Sequence, residues 1–521
     1  MKRNNYIATL ILATLCINGA LAQTKIPRLV VTVTIDQLRS DYMEAFNLLY
    51  GEGGFNRFLK EGRIYERAYN DFFPVDRASA SATLSTGATP YYNGIVSASW
   101  LDRNTLRPTY CTDDRKFKVS MQRDAASPSK LLVTTVGDEL KVYTQGAAKV
   151  YSIAPNKESA ILSSGHAADC AVWLDDNTGH WTTTDYYKSL NSWFSNYDRV
   201  RSVASRIKDT RWTPITELSG NVSFFMNGGT QKPFNHSFTG SKCYVDYKRS
   251  ALVNTDITEL AISCAQHNTL GRDDITDLLS VTYYAGLYRD GSLSQCCNEL
   301  QDTYFRLDLE LERLISNIEQ TVGKENVMFI LTSTGYSDIA NDDYAQIGIP
   351  TGTFYINRTS SLLNMYLSAI YGQAQYVDAA YHNQIYLNHP LIEQKRLSLT
   401  DLLIRSREFL TMCEGVRDVH TAERILSPGN ADAYKIRNAY SPTLCGDIII
   451  DVAPGWKVVN EDNGEVFNSC VSNSVFPIIF YGSGIQAERI STLVSTDCVA
   501  PTICKSIRIR APNACKSLPL F

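Results

Sequence analysis

No stretch beyond the N-terminal segment approaches the roughly 20 consecutive apolar residues needed to cross a bilayer, so nothing in the body of the chain reads as a membrane span. No Cys-x-x-Cys occurs, which removes zinc-ribbon and thioredoxin-like readings. Histidine is scarce: seven in 521 residues, all in connecting or inserted segments rather than directly after an apolar strand-like run. The net charge of −4 offers no basic field for gripping nucleic acid. With 44% hydrophobic and 20% charged residues the chain is not of the disordered class. There is no internal repeat and no low-complexity tract.

What is present points to an exported globular protein. The chain opens MKRNNYIATLILATLCINGALAQ, with Lys2 and Arg3, an apolar stretch from Tyr6 to Ile17, then Ala20-Leu21-Ala22 before Gln23. This reads as a secretory signal peptide over 1–22, cleaved near Ala22-Gln23, and implies a periplasmic, extracellular or outer-membrane-associated protein. The alternative, acylation of Cys16 in a lipoprotein, is opposed by the bulky Leu15 before it. Removing Cys16 leaves an even number of the thirteen cysteines, which in an oxidising compartment favours disulfides. Adjacent Cys296 and Cys297 cannot easily share one partner, whereas Cys498, Cys504 and Cys515 could supply a bridge near the C-terminus.

Short β-branched runs suit buried strands of a mainly parallel sheet: 28–35, 327–331, 447–451 and 476–481. Between Leu300 and Val322 the residues Leu307, Leu311, Leu314, Ile315, Ile318 and Val322 fall on one helical face. The alternation predicts an α/β three-layer sandwich over 23–521. Two stretches, about 101–268 and about 348–442, break the pattern and read as insertions capping the sheet's C-terminal edge.

The chemistry lies in motifs that follow one another along the chain: VTIDQLRSDY after the first strand, FPVDRASASATLSTG from Phe73 to Gly87, LTSTGYSD from Leu331, and FPIIFYGSGI leading to VAPTICKSIRIRAPNA. Together they resemble the alkaline phosphatase superfamily, in its branch of phosphate-irrepressible alkaline phosphatases and nucleotide pyrophosphatase/phosphodiesterases. The resemblance implies that family's fold and a reaction in which two zinc ions, held by Asp and His, bind phosphate oxygens while a Thr or Ser at a helix N-terminus takes the phosphoryl group.

Placed on those motifs, most of the family's groups are replaced. Asp36 matches the first metal carboxylate. The nucleophile position falls on Arg77, which has no attacking hydroxyl and whose charge opposes zinc. A slip of two residues would put Ser79 there instead. The remaining metal positions fall on Leu287, Gly291, Thr334, Gly335 and Val475, and the Lys and Arg of the phosphate clamp on Asn156 and Glu158. Ser99 stands before Trp100 where the family has an asparagine.

From these replacements the expected protein is not an enzyme. It is a pseudo-phosphatase that needs no cofactor and serves as a binding or scaffold subunit among other envelope proteins. The alternative is an active metal-dependent phosphomonoesterase or phosphodiesterase using displaced ligands. A buried Asp36 without zinc needs a new partner, and Arg77 is the expected one. His166, near Asp169, Asp175 and Asp176, reads as part of a structural turn, and His382 and His389 as loop histidines. The tryptophans Trp173, Trp181 and Trp193 leave a carbohydrate-binding reading open on composition alone.

Overall fold

A computed structural model describes residues 25–119, 125–187, 192–215, 233–337, 344–345, 348–427, 433–467 and 475–521. The segment 1–22 read as a signal peptide, with Cys16, and also Cys470 lie outside the described residues.

Nine strands form the central sheet: β1 Leu29–Asp36, β2 Arg63–Tyr69, β3 Val150–Ala154, β4 Cys170–Leu174, β5 Trp181–Thr182, β6 Asp277–Tyr284, β7 Val327–Ser333, β8 Phe476–Gly482 and β9 Glu488–Ser495. Their order is β9-β2-β8-β7-β1-β6-β3-β4-β5. The run β7-β1-β6-β3-β4 is parallel, whereas β8 is antiparallel to both its neighbours and β5 to β4. The sheet is therefore mixed around a parallel centre. β1 explains why: Leu29, Val31, Val33 and Ile35 pack on one face and Val30 on the other, the double-sided burial that parallel strands require.

Helices cover both faces. α3 (Leu252–His267) and α4 (Leu293–Val322) lie over the first, with Ile257, Leu260, Leu307, Leu311 and Leu314 fully buried. α1 (Arg77–Thr86) and α5 (Val499–Ser506) lie over the second through Leu84, Val499 and Ile503. A further helix, α2 (Lys157–Ser164), follows β3 and packs Ala160 and Ile161 against Ala171 and Trp173 of β4.

Four sequence expectations change. The segment 101–268 is not wholly an insertion, since β3, β4, β5, α2 and α3 within it belong to the central layers. β3, β4 and β5 are only two to five residues long and are hidden by the aromatic and polar residues between them. The second unit extends past 442. It holds a four-stranded sheet of Val377–Tyr381, Gln384–Leu387, Val416–Thr421 and Ile448–Val452, so the 447–451 run is an antiparallel strand there and not part of the main sheet. A short apolar run carries no mark of which sheet it will join. This unit packs Ile425, Ile436, Tyr440 and Ile449 against Ala78 and Ala82 of α1, fixing the helix that carries Arg77. The eleven described cysteines are free thiols, mostly buried as small apolar groups in place of the expected bridges.

Candidate active site

The parallel strands end together. Asp36 of β1 lies level with Tyr284 of β6, and Ile35 with Ser333 of β7, so Thr334 and Asn156 follow just past neighbouring strand ends. Open α/β sheets build their sites at this edge.

Asp36 has no exposure to solvent. Its Oδ2 accepts from Arg77 Nε at 2.7 Å, within the pairing range expected from the sequence, and its Oδ1 accepts from Thr334 Oγ1 at 3.0 Å. The Tyr336 hydroxyl lies 3.5 Å from Oδ2. Arg77 is the first residue of α1, where the helix dipole disfavours a cation. Two carboxylates offset this: Asp36, and Glu158, whose Oε1 accepts from Nη1 at 3.0 Å. Burial opposes the guanidinium's charge, but Asp36, Tyr336 and Glu158 outweigh it and hold Arg77 well above its ordinary value. Burial likewise pushes Glu158 up, and Arg77, with help from Lys248, brings it below the usual carboxylate range. The two replaced family positions thus answer each other, Arg at one and Glu at the other.

Ser79, the displaced-nucleophile alternative, is engaged in the helix cap. It sits fully buried at the third position of α1, where its Oγ donates to Asp76 Oδ1 at 2.8 Å and accepts from Asp76 N at 3.0 Å. This is a capping box, with Asp76 as the cap.

The residues at the family's metal positions do not fit two zinc ions. Thr334 is occupied with Asp36 and with the backbone N–H of Gln37. Gly335 adopts φ 75°, and a Cβ there would come 2.4 Å from Phe476 Cε1 and 2.5 Å from Asn70 Nδ2, so no imidazole can stand at this position. The Leu287 carbonyl accepts from Tyr284 Oη at 2.8 Å. At Gly291 a Cβ would lie 2.4 Å from Cys296 Sγ. Val475 is exposed and contributes its carbonyl to Ser40 N. Among the described residues no group of three His, Cys, Asp or Glu could hold a metal.

Above the triad opens a cleft of ≈ 610 Å³ lined by Asn156, by the cations Arg77, Lys157, Lys248 and Arg249 and by the carboxylates Asp113, Glu158, Asp175 and Asp176, among others. Lys248 is tied to Asp176 at 2.6 Å. Lys157 and Asn156 begin α2, and Asn156, its N-cap, makes no side-chain cap hydrogen bond. Lys157, Lys248, Arg249 and Tyr336 were not singled out in the sequence. Lys157 had a readable signal, standing between the two altered clamp positions, whereas the others reach the site only through the fold.

The other candidates settle elsewhere. His166 binds Asp138 and the Leu131 carbonyl, not the nearby acidic run. His389 bonds Asp447 at 2.9 Å, and His382 stacks between Tyr381 and Phe467. Ser99 bonds the Tyr381 hydroxyl at 2.8 Å. Trp173 and Trp181 are core residues, 3% and 2% exposed, whereas the partly buried Trp193 stacks on His267 with ring centroids 5.6 Å apart.

The model of the family described as type I phosphodiesterase/nucleotide pyrophosphatase matches residues 30–475. Alkaline phosphatase PafA of Elizabethkingia meningoseptica is 28% identical over 538 residues, spanning 98% of each chain. Alkaline phosphatase PhoV of Synechococcus elongatus is 26% identical, covering 94% of this chain and 91% of its own. A crystal structure of wild-type alkaline phosphatase PafA superposes with a TM-score of 0.82 at 25% identity, over 95% of this chain and 98% of that one.

These likenesses overturn the expectation that the chain is not an enzyme. The two full-length relatives just described are named as phosphatases, and with the family match they point to a phosphoesterase. The expectation overreached for a physical reason: replaced ligands show only that those positions do not hold a metal pair. They leave intact the fold, the cleft and the charge within it.

Proposed function

We infer that this chain, which belongs to the type I phosphodiesterase/nucleotide pyrophosphatase family, acts on phosphoric esters, with hydrolysis of a phosphate mono- or diester as its reaction class. The observation that carries the reading is the full-length likeness to alkaline phosphatases in both sequence and structure. The cleft supports it, lying at the strand ends where such folds take their ligands and offering the cations Arg77 and Lys157 to a phosphoryl group. The donor set does not fit zinc. The capping role and burial of Ser79 favour water as the source of the attacking oxygen. The N-terminal segment supports export to the periplasm or cell surface, among envelope proteins, and N-terminal sequencing of the secreted chain should begin at Gln23.

The test is hydrolysis of 4-nitrophenyl phosphate and bis(4-nitrophenyl) phosphate by the purified mature chain, with zinc supplied and with zinc chelated. Turnover of either ester above buffer, lost in Arg77→Gln, supports the reading. No turnover of either ester under both conditions overturns it.

A further inference from the structure

We propose that Arg77 is the resident cation of this cleft: it occupies the electrostatic place of the family's metal, and its free guanidinium edge, with no bound zinc, is what a tetrahedral oxyanion meets. The proposal rests on the cleft being the phosphoester site argued above, and it adds how that site recognises its ligand.

The geometry divides the guanidinium into used and unused parts. Nε is committed to Asp36 and Nη1 to Glu158. Among the described residues Nη2 has no hydrogen-bond partner, and the side chain, 23% exposed, lines the cleft. A guanidinium held at two corners by carboxylates cannot turn away, so its remaining N–H groups are fixed in direction, which is what a planar donor needs to meet a phosphate oxygen. Lys157, the first residue of α2, lines the same cleft, and no ion pair to it is found among the described residues.

The same contacts explain why zinc is not taken up at Asp36. Both carboxylate oxygens already accept hydrogen bonds, one of them from a permanent cation. A zinc ion binding there would have to expel Arg77, strand Glu158 without its partner, and find further ligands where the chain offers Thr334 and Gly335. The charge balance also sets the strength of recognition. The four cations lining the cleft are matched by four carboxylates, and Asp36 behind Arg77 adds one more negative charge, whereas two zinc ions would bring four positive charges. Oxyanion binding should therefore be weak and salt-sensitive compared with that of a metal centre.

Inorganic phosphate, followed by isothermal titration on the full mature chain, is the probe. Zinc content is measured by mass spectrometry after dialysis against zinc chloride and then buffer. Three results are expected together: substoichiometric zinc, phosphate affinity unchanged by chelator, and affinity lowered about tenfold in Arg77→Gln, the loss of one charge-assisted hydrogen bond. Because Arg77→Gln alone leaves Asp36 buried and unpaired, the double variant Asp36→Asn/Arg77→Gln is measured beside it and should show the same loss. One or more zinc ions retained per chain, phosphate binding that requires zinc, or undiminished binding in the double variant would each overturn the proposal. The hydrolytic reading fails separately: metal-independent phosphate binding without ester turnover sinks it and leaves Arg77 in its role, whereas zinc-dependent turnover does the reverse.

Discussion

Replacing Arg77 with glutamine should be among the most damaging single changes in the chain, and the size of the effect follows from the site. Asp36 is wholly inaccessible to solvent, and after the change it would keep only the Thr334 hydroxyl at 3.0 Å and the Tyr336 hydroxyl at 3.5 Å. With Nε at 2.7 Å from Oδ2, the charge centres lie about 4 Å apart, worth about 4 kcal/mol at an effective dielectric near 20. Breaking a buried pair from one side is commonly measured at about 3–5 kcal/mol, in agreement. Glu158 adds less, being partly exposed. Asp36→Asn should cost less, about 1–3 kcal/mol, because the amide can still meet Thr334 and Arg77 keeps Glu158. The double variant should then be more stable than the sum of the singles predicts, with a coupling of about 2 kcal/mol or more. Urea unfolding followed by tryptophan fluorescence and by circular dichroism measures all four proteins, and coincident transitions confirm that one unfolding event is being read. An Arg77→Gln cost below about 1 kcal/mol, or strictly additive singles, would refute the reasoning, since neither is compatible with a buried charge that depends on one cation.

Ser79→Ala should cost about 1 kcal/mol in urea unfolding through the lost capping box and leave ester turnover intact, whereas abolished turnover on a folded protein would restore Ser79 as a nucleophile. Gly335→Ala should destabilise by about 1–3 kcal/mol, because φ is 75° and the new Cβ would meet Phe476 and Asn70; a thermal melt unchanged from wild type would contradict the close approach. His382, with Tyr381 and Phe467 ring centroids 4.0 and 4.6 Å away, is pushed down by burial to about 4. Its folded value lies below the ordinary 6.5, so between the two the unfolded chain binds more protons and stability falls as pH drops. Urea midpoints compared at about pH 7 and about pH 5 should therefore drop further for wild type than for His382→Gln, and equal drops would refute the assignment.

Much of the scaffold was legible because its signals are local. β1 and β7 announce themselves as β-branched runs, and the apolar face of α4 repeats at helical spacing, as Leu307, Leu311, Leu314 and Ile318 show in the core. Asp36 and Arg77 could be paired before any coordinates, since a buried carboxylate without its metal calls for a cation and only Arg77 stood at the neighbouring position. Thr334 and Glu158 were named as altered positions, but their contacts were hidden for the opposite reason. Thr334 reaches Asp36 across 298 positions and Glu158 reaches Arg77 across 81, and neither contact has a local signature. β3 and β4 went unseen because five buried residues between polar loops look alike in any sheet. Function was least legible, because missing ligands describe what a centre lacks and not what the remaining charges do.

The most direct test is a crystal structure of the mature chain grown with zinc chloride and inorganic phosphate, with anomalous data collected at the zinc edge. The account expects no anomalous peak beside Asp36, the Arg77–Asp36 contact intact, and a phosphate oxygen within hydrogen-bonding distance of Arg77 Nη2. A zinc peak at Asp36 with the guanidinium swung aside would contradict it.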